Sequence, residues 1–216
     1  SKEFGHERVL DTPISEIMIA GAAVGAAMTG MIPIADVQYG DFLFCMMDQL
    51  ADNAAKMTYM SGGTVKVPMV MRAPVGATTR GAQHAQSLEG FFTHIPGIKV
   101  ICPSTAYDAK GLLKTAIRDN NPVVVFEHKL LYGSKGNRAE KSALSPVGEV
   151  PDEEYLIPFG EGVIRREGKD ITIVANLLMV YRALEAAEIL EQEGISVEVI
   201  DPRTLVPFDY DLVISS

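Results

Sequence analysis

Cysteine is scarce: the 216 residues contain two, Cys45 and Cys102, far apart and in no CxxC pairing. That excludes a disulfide scaffold and a cysteine metal site, and it predicts two buried, reduced thiols of a cytoplasmic protein. Positive charge is in deficit too, with 19 Lys and Arg against 28 Asp and Glu and a formal net charge of −9. Without a basic stripe the chain cannot displace counterions from a phosphate backbone, which excludes nucleic acid as a partner. The opening SKEFGHERVL has no apolar signal core, so no secretory peptide is predicted. An initiator Met is missing, and a helix barely begins in DYDLVISS; both ends are expected to be cuts through a longer protein. No GxGxxG after a strand, GxxxxGK[ST], GxSxG or HExxH is present, so the chain is expected to hold no nucleotide phosphate unaided.

What is present is a globular composition, 47% hydrophobic and 22% charged, enough for one large domain or two small ones. Ile17 to Ile34 carries no charge, and Gly21 and Gly25 have the spacing of packed membrane helices. Gly, Ala, Thr and Pro33 dilute that run, and a break near Gly30 divides it into a helix and a strand. No membrane span is predicted. Small residues at helical spacing instead let a buried helix approach a sheet or another subunit closely.

The pattern predicts helix 15–29, strand 32–38, helix 42–60, strands 67–72 and 98–102, and helix 105–118 capped by Ser104 with Asp108 in its opening turns. PVVVFEH then reads as a strand. Strands this apolar belong in a parallel sheet covered by helices, an α/β fold. From His128 to Pro158 the pattern dissolves into turn formers, a linker. Beyond it DITIVAN, a helix stopped by Gly194 and ISVEVID form a βαβ unit whose strands should be parallel. Three polar settings stand out for chemistry: Glu16 at the head of the uncharged helix, the QYGDF turn at 38–42, and RGAQHAQS at 80–87.

FGHERVLDTPISE, DQLADNAAKMTYMSGG, the stretch from MRAPVGATTRGAQHAQSLEGFF to AIRDNNPVV, and VEVIDPRTLVPFD stand in collinear order. Together they resemble the β subunits of thiamine-diphosphate-dependent 2-oxo acid dehydrogenases, a group that includes the pyruvate, acetoin and branched-chain enzymes. The resemblance covers essentially the whole chain. It implies a transketolase-type pyrimidine-binding domain at 1–130 lacking its first helix and strand, a linker at 131–158, and the truncated start of a transketolase C-terminal domain at 159–216.

The resemblance also implies roles. Glu16, in DTPxxE, would be the acid bonded to the cofactor's pyrimidine nitrogen, where a low-dielectric setting lets it share a proton with the ring. Asp11 and Pro13 would fix the turn that presents it. Phe42 would pack on the aminopyrimidine, and Gln38 would face the same cavity. His84 would contact substrate-derived intermediates and assist proton transfer as the acyl group passes to lipoamide, whereas His6, His94 and His128 read as ordinary surface histidines. Met69, Ala116, Ile117, Asp119 and Asn121 match a potassium site of oxygen ligands. Mg²⁺ and the diphosphate would be held by an α subunit, because this chain has no GDG loop. The implied assembly is an α2β2 heterotetramer, active only with its α subunit, that serves a lipoyl acyltransferase. Read on their own, the residues leave two other possibilities open: half of a split transketolase, and a non-catalytic assembly subunit of the same fold.

Overall fold

The computed structural model describes residues 2–78, 81–132 and 145–216. Helix α1 (Glu16–Met28) buries Ala20, Ala23, Val24 and Ala27, so the small side chains do bring its backbone close to the layer beneath. Among the described residues no helix is long and apolar enough to cross a membrane. Strand β1 (Ile34–Asp36) follows. The segment predicted as one helix over 42–60 is three consecutive windings: a tight 3-10 stretch at Gly40–Met46, a wide π stretch at Asp48–Ala54, and α2 at Ala55–Met60.

Strand β2 (Val70–Val75) comes next, followed by the short helix α3 (Glu89–Thr93), β3 (Lys99–Ile101), α4 (Ala106–Ile117) and β4 (Val123–His128). These strands form a sheet in the order β1-β2-β4-β3, all parallel. β2 and β4 present almost continuous buried apolar residues, as strands covered on both faces must. One face packs on α1 and the mixed helical run through Met71, Ala73, Val75 and Phe126. The other packs on α4 through Val70, Val123, Val125 and Leu112.

The second unit has β5 (Val163–Arg166), β6 (Ile171–Val174), α5 (Leu178–Gln192) and β7 (Val197–Asp201). β6 and β7 are parallel, as the βαβ pattern predicts, and Gly194 ends the helix region at φ +82°. β5, absent from the sequence reading, pairs antiparallel with β7. A further unpredicted strand, β8 (Thr204–Val206), leaves this unit and joins β3 antiparallel, before a last short helix, α6 (Tyr210–Ser215).

Two sequence expectations are corrected. The cap of α4 is Thr105, whose hydroxyl accepts from the Asp108 amide at 3.0 Å; Ser104 is turned away to donate to the Asp201 carboxylate. Cys102 is buried, and that burial, ahead of the nearby Glu89 and Asp201 charges, pushes its thiol well up; Cys45, however, is exposed.

The Ser104 hydrogen bond belongs to a buried ionic cluster that ties β5, β7 and the turn after β7 to α4. Asp108 and Asp201 have fully buried side chains, and the Arg165 guanidinium binds both, reaching Asp201 at 2.8 Å. Arg203 pairs with Asp108 at 2.8 Å, and Tyr181 donates to the Ser104 carbonyl at 3.0 Å. Burial works against the Arg165 charge, but Asp108 and Asp201 outweigh it and raise the guanidinium's pKa. Removing one member of a buried ion cluster strands its partners, at about 3–5 kcal/mol. Arg165→Leu should therefore lower the unfolding free energy by about that amount in urea titration, whereas a loss below about 1 kcal/mol would mean that solvent replaces the guanidinium.

Candidate active site

The sequence-predicted residues can be located from the carboxyl ends of β1, β2 and β4, where an open parallel sheet presents its ligand-binding crevice. Tyr39 and Phe42 follow β1, His84 follows β2, and Lys129 follows β4. The turn carrying Phe42 is held against the end of β2 because Gly40 has no side chain: a Cβ there would lie 2.6 Å from Val75 and 3.0 Å from the Pro74 carbonyl. Gly76 plays the same part beside β4. It adopts φ +90°, and a Cβ on it would lie 2.0 Å from His128 Nε2. His128 is therefore not the surface histidine expected from sequence but a half-buried ring at the end of β4, whose Nδ1 accepts from the Leu130 amide at 3.3 Å.

His84 ends a single 3-10 turn, Ala82–His84, and is half-buried. Its imidazole meets the Tyr39 ring edge-on at 4.7 Å and the Phe42 ring at 5.6 Å, and the two aromatic rings are themselves 5.9 Å apart. Lys129 Nζ donates to the His84 carbonyl at 2.6 Å and lies 5.1 Å from the centre of the Tyr39 ring. The structure thus brings Phe42 and His84 together. Gln38 is exposed beside them.

Sequence reasoning missed Tyr39, Asp41, Gln86 and Lys129. Asp41 is 6% exposed, and its Oδ1 accepts from both the amide and the side-chain Nε2 of Gln86, at 3.2 and 2.9 Å. Gln86 in turn accepts from the Gly76 amide at 3.0 Å. Tyr39 and Asp41 lie within the quoted QYGDF turn, so their place near a site was readable; their partners were not.

Glu16 opens α1, half-exposed, and its Ser15 cap makes no side-chain hydrogen bond. Among the described residues its carboxylate has no hydrogen-bond or ion-pair partner. The apolar surroundings expected of it are not built by α1 alone, since Ile14 is 84% and Ile17 60% exposed.

The turn after α4 is closed on itself. Asp119 Oδ1 accepts from the Asn121 amide and side chain at 2.8 and 2.9 Å, and its other oxygen pairs with the Lys99 ammonium. The Met69 carbonyl accepts from Val123 and the Ala116 carbonyl from Asp119. No group of three His, Cys, Asp or Glu side chains able to hold a metal occurs among the described residues.

Against this geometry the comparisons with known proteins can be set. The family described as "Transketolase, pyrimidine binding domain" matches residues 1–135, and "Transketolase, C-terminal domain" matches 160–216. The chain is 54% identical over 211 residues to the acetoin:2,6-dichlorophenolindophenol oxidoreductase subunit beta of Cupriavidus necator, covering 97% of this chain and 59% of the relative. It is 47% identical to the 2-oxoisovalerate dehydrogenase subunit beta of Bacillus subtilis and 45% identical to that organism's pyruvate dehydrogenase E1 component subunit beta, covering all of this chain and 63% of each relative. Among solved structures, a "Split gene transketolase, inactive beta4 tetramer" superposes with a TM-score of 0.77 at 28% identity, covering 100% of this chain and 63% of the other. The chain thus spans about three fifths of the length of these relatives.

The turn at 116–121 yields a pH test. Partial burial works to raise the Asp119 carboxyl, but the Lys99 ammonium and the Asn121 donors outweigh it and hold it below its ordinary value of 3.8. A depressed carboxylate contributes stability above its unfolded-state pKa and loses it as pH falls through the folded-state value. Lys99→Met should lower stability at neutral pH and flatten its decline between about pH 4 and pH 2, read from urea midpoints. An unchanged acid limb would assign the effect to Asn121 alone.

Proposed function

The chain belongs to the family of the transketolase pyrimidine-binding domain, with a transketolase C-terminal domain beginning at residue 160, and on that premise we propose that it is the β subunit of a thiamine-diphosphate-dependent 2-oxo acid or acetoin dehydrogenase. With an α subunit it cleaves the substrate and passes the acyl group to a lipoyl domain. The observation that carries this reading is the convergence of Tyr39, Phe42 and His84 at the carboxyl ends of β1 and β2. The identity to β subunits over the whole chain supports it. Its two free cysteines accord with the cytoplasmic location we propose. The division into a pyrimidine-binding domain at 1–130, a linker at 131–158 and a C-terminal part from 159 belongs to the same reading.

The residues fit the cofactor's pyrimidine. Phe42 offers a half-buried ring for a flat heterocycle, and Glu16 a carboxylate that no described residue of the chain engages. When bound, thiamine diphosphate supplies a thiazolium carbon that becomes the nucleophile. Glu16 would hold a proton between its carboxyl oxygen and the pyrimidine nitrogen, Phe42 would hold the ring's plane, and Gln38 would line the rim. His84, steadied by two aromatic edges, would hold and move a proton at its ring nitrogen during acyl transfer. The chain has no GDG loop, so the diphosphate and Mg²⁺ fall to the α subunit in an α2β2 heterotetramer. In the potassium set Met69, Ala116, Ile117, Asp119 and Asn121, the Asp119 carboxylate is paired with Lys99, and no step is routed through the set.

Reconstitution of the full-length β chain with its α partner and thiamine diphosphate tests the reading. Reduction of lipoamide with acetoin or one of a panel of 2-oxo acids is expected, and ketol transfer without lipoamide reduction would replace the proposal with a split transketolase. Glu16→Gln keeps the side chain's size but cannot take up the proton. It should leave assembly and melting temperature unchanged and reduce kcat by about 10²–10⁴-fold at saturating cofactor. Unaltered turnover would leave Glu16 with only the modest electrostatic benefit of a charge at a helix N-terminus.

A further inference from the structure

His84 stands on a segment that has little structure of its own to hold it. Apart from the single turn Ala82–His84, the described stretch from Gly81 to Ser87 contains no helix or strand, so contacts from elsewhere in the fold set the imidazole's position. One of these is Lys129, on the His84 carbonyl. The most buried is Asp41. Its Oδ1 accepts from the backbone amide and from the side-chain Nε2 of Gln86, two residues beyond His84, while the Gly76 amide holds the Gln86 carbonyl from the other side. Asp41 also neighbours Phe42 directly, so one side chain joins the wall carrying the aromatic ring to the segment carrying the histidine.

The other oxygen of Asp41 makes this arrangement informative. Oδ2 is buried and has no hydrogen-bond partner. A buried carboxylate oxygen left unpaired is costly and calls for a reason. Among the described residues no cation pairs with Asp41, and what ties its carboxylate down there is the pair of Gln86 donors on Oδ1.

We infer that Asp41 is a positioning residue: through Gln86 it fixes His84 against Tyr39 and Phe42. The consequence for turnover rests on the function proposed above, but the structural role does not, and the test separates the two.

In the reconstituted full-length complex, carbethoxylation of each histidine by diethyl pyrocarbonate is followed by peptide mass spectrometry, with the exposed His94 as internal control. Asp41→Ala should speed modification of His84 several-fold and leave His94 unchanged, and Asp41→Asn, which keeps one acceptor oxygen, should restore the slow rate. Turnover of Asp41→Ala should fall with kcat rather than KM, and Asp41→Ala combined with His84→Ala should be no slower than His84→Ala alone. If Asp41→Ala does not assemble, Gln86→Ala removes the side-chain bond while leaving the carboxylate in place, and carries the same expectations. An unchanged His84 rate would overturn the inference, as would kcat losses that multiply independently in the double variant. If the complex turns over no 2-oxo acid or acetoin, the proposed function fails and the labelling rates alone decide the role of Asp41.

Discussion

The pairing of β2 with β4 is the constraint from which the site follows. Six consecutive residues are in parallel register, from Val70 against Val123 to Val75 against His128. That last pair sets Gly76 beside the His128 ring and brings Lys129 within reach of His84 and Tyr39. A slip of one residue would exchange the side chains that meet the two helical layers and separate these groups. The register is pinned a second time on the face bearing Arg72, whose guanidinium grips both oxygens of Glu127 at 2.8 and 2.9 Å and reaches Asp36 on β1. Tyr132 donates to the same Glu127 at 2.8 Å. Glu127, by hydrogen bond first and against the cost of burial, raises the Arg72 pKa, as a charge-assisted bidentate link does.

The parallel core was legible because strands buried on both faces must be apolar throughout, and VVVF has no other place to go. The run at 40–60 shows the limit of periodicity. Its apolar residues suit a helix, but the pattern does not separate windings of three, 3.6 and more residues per turn; close packing of Gly40 on β2 tightens the first part, and the π stretch then takes up the difference. β5 and β8 were not legible at all, since VIRR and TLV carry little strand signal and become strands only by pairing with β7 and β3. Ile157, inside a segment whose composition reads as linker, is buried against α4 at Gly111, where a side chain would lie 2.6 Å from it. Composition averages over a window; packing needs only one residue.

For the candidate site the division is similar. Phe42 and His84 were found through their motifs, and the structure sets them edge to face. The residues that hold them were hidden because each acts across a long sequence separation: Asp41 on Gln86, and Lys129 on His84, are both 45 residues apart. Ser104 was noticed for the wrong reason, and Asp108, which does stand in the first turn of α4, for only part of its role. Their place in a capping pattern was visible, whereas the Arg165 that makes Asp108 part of an ionic cluster lies 57 residues away.

On the proposed function, Glu16 marks where the chain stops being sufficient. The buried face of α1 is its small-residue face, and the large apolar side chains near Glu16 point outward: Ile14, Ile17 and Met18 are all exposed. A carboxylate shares a proton with a ring nitrogen only where water is kept from solvating it, and the described residues of this chain leave Glu16 half-exposed. Exposed apolar side chains beside such a group are a surface that gains by being covered. On the proposed function, one event therefore does two things. Covering Ile14, Ile17 and Met18 with a partner surface contributes hydrophobic stabilisation to assembly, and the same covering dries the carboxylate. Assembly and competence of the acid are then thermodynamically linked, because whatever favours the covered state favours the proton-sharing state equally. The apolar sequence following DTPISE matters less for the helix it forms than for the side chains it leaves outside.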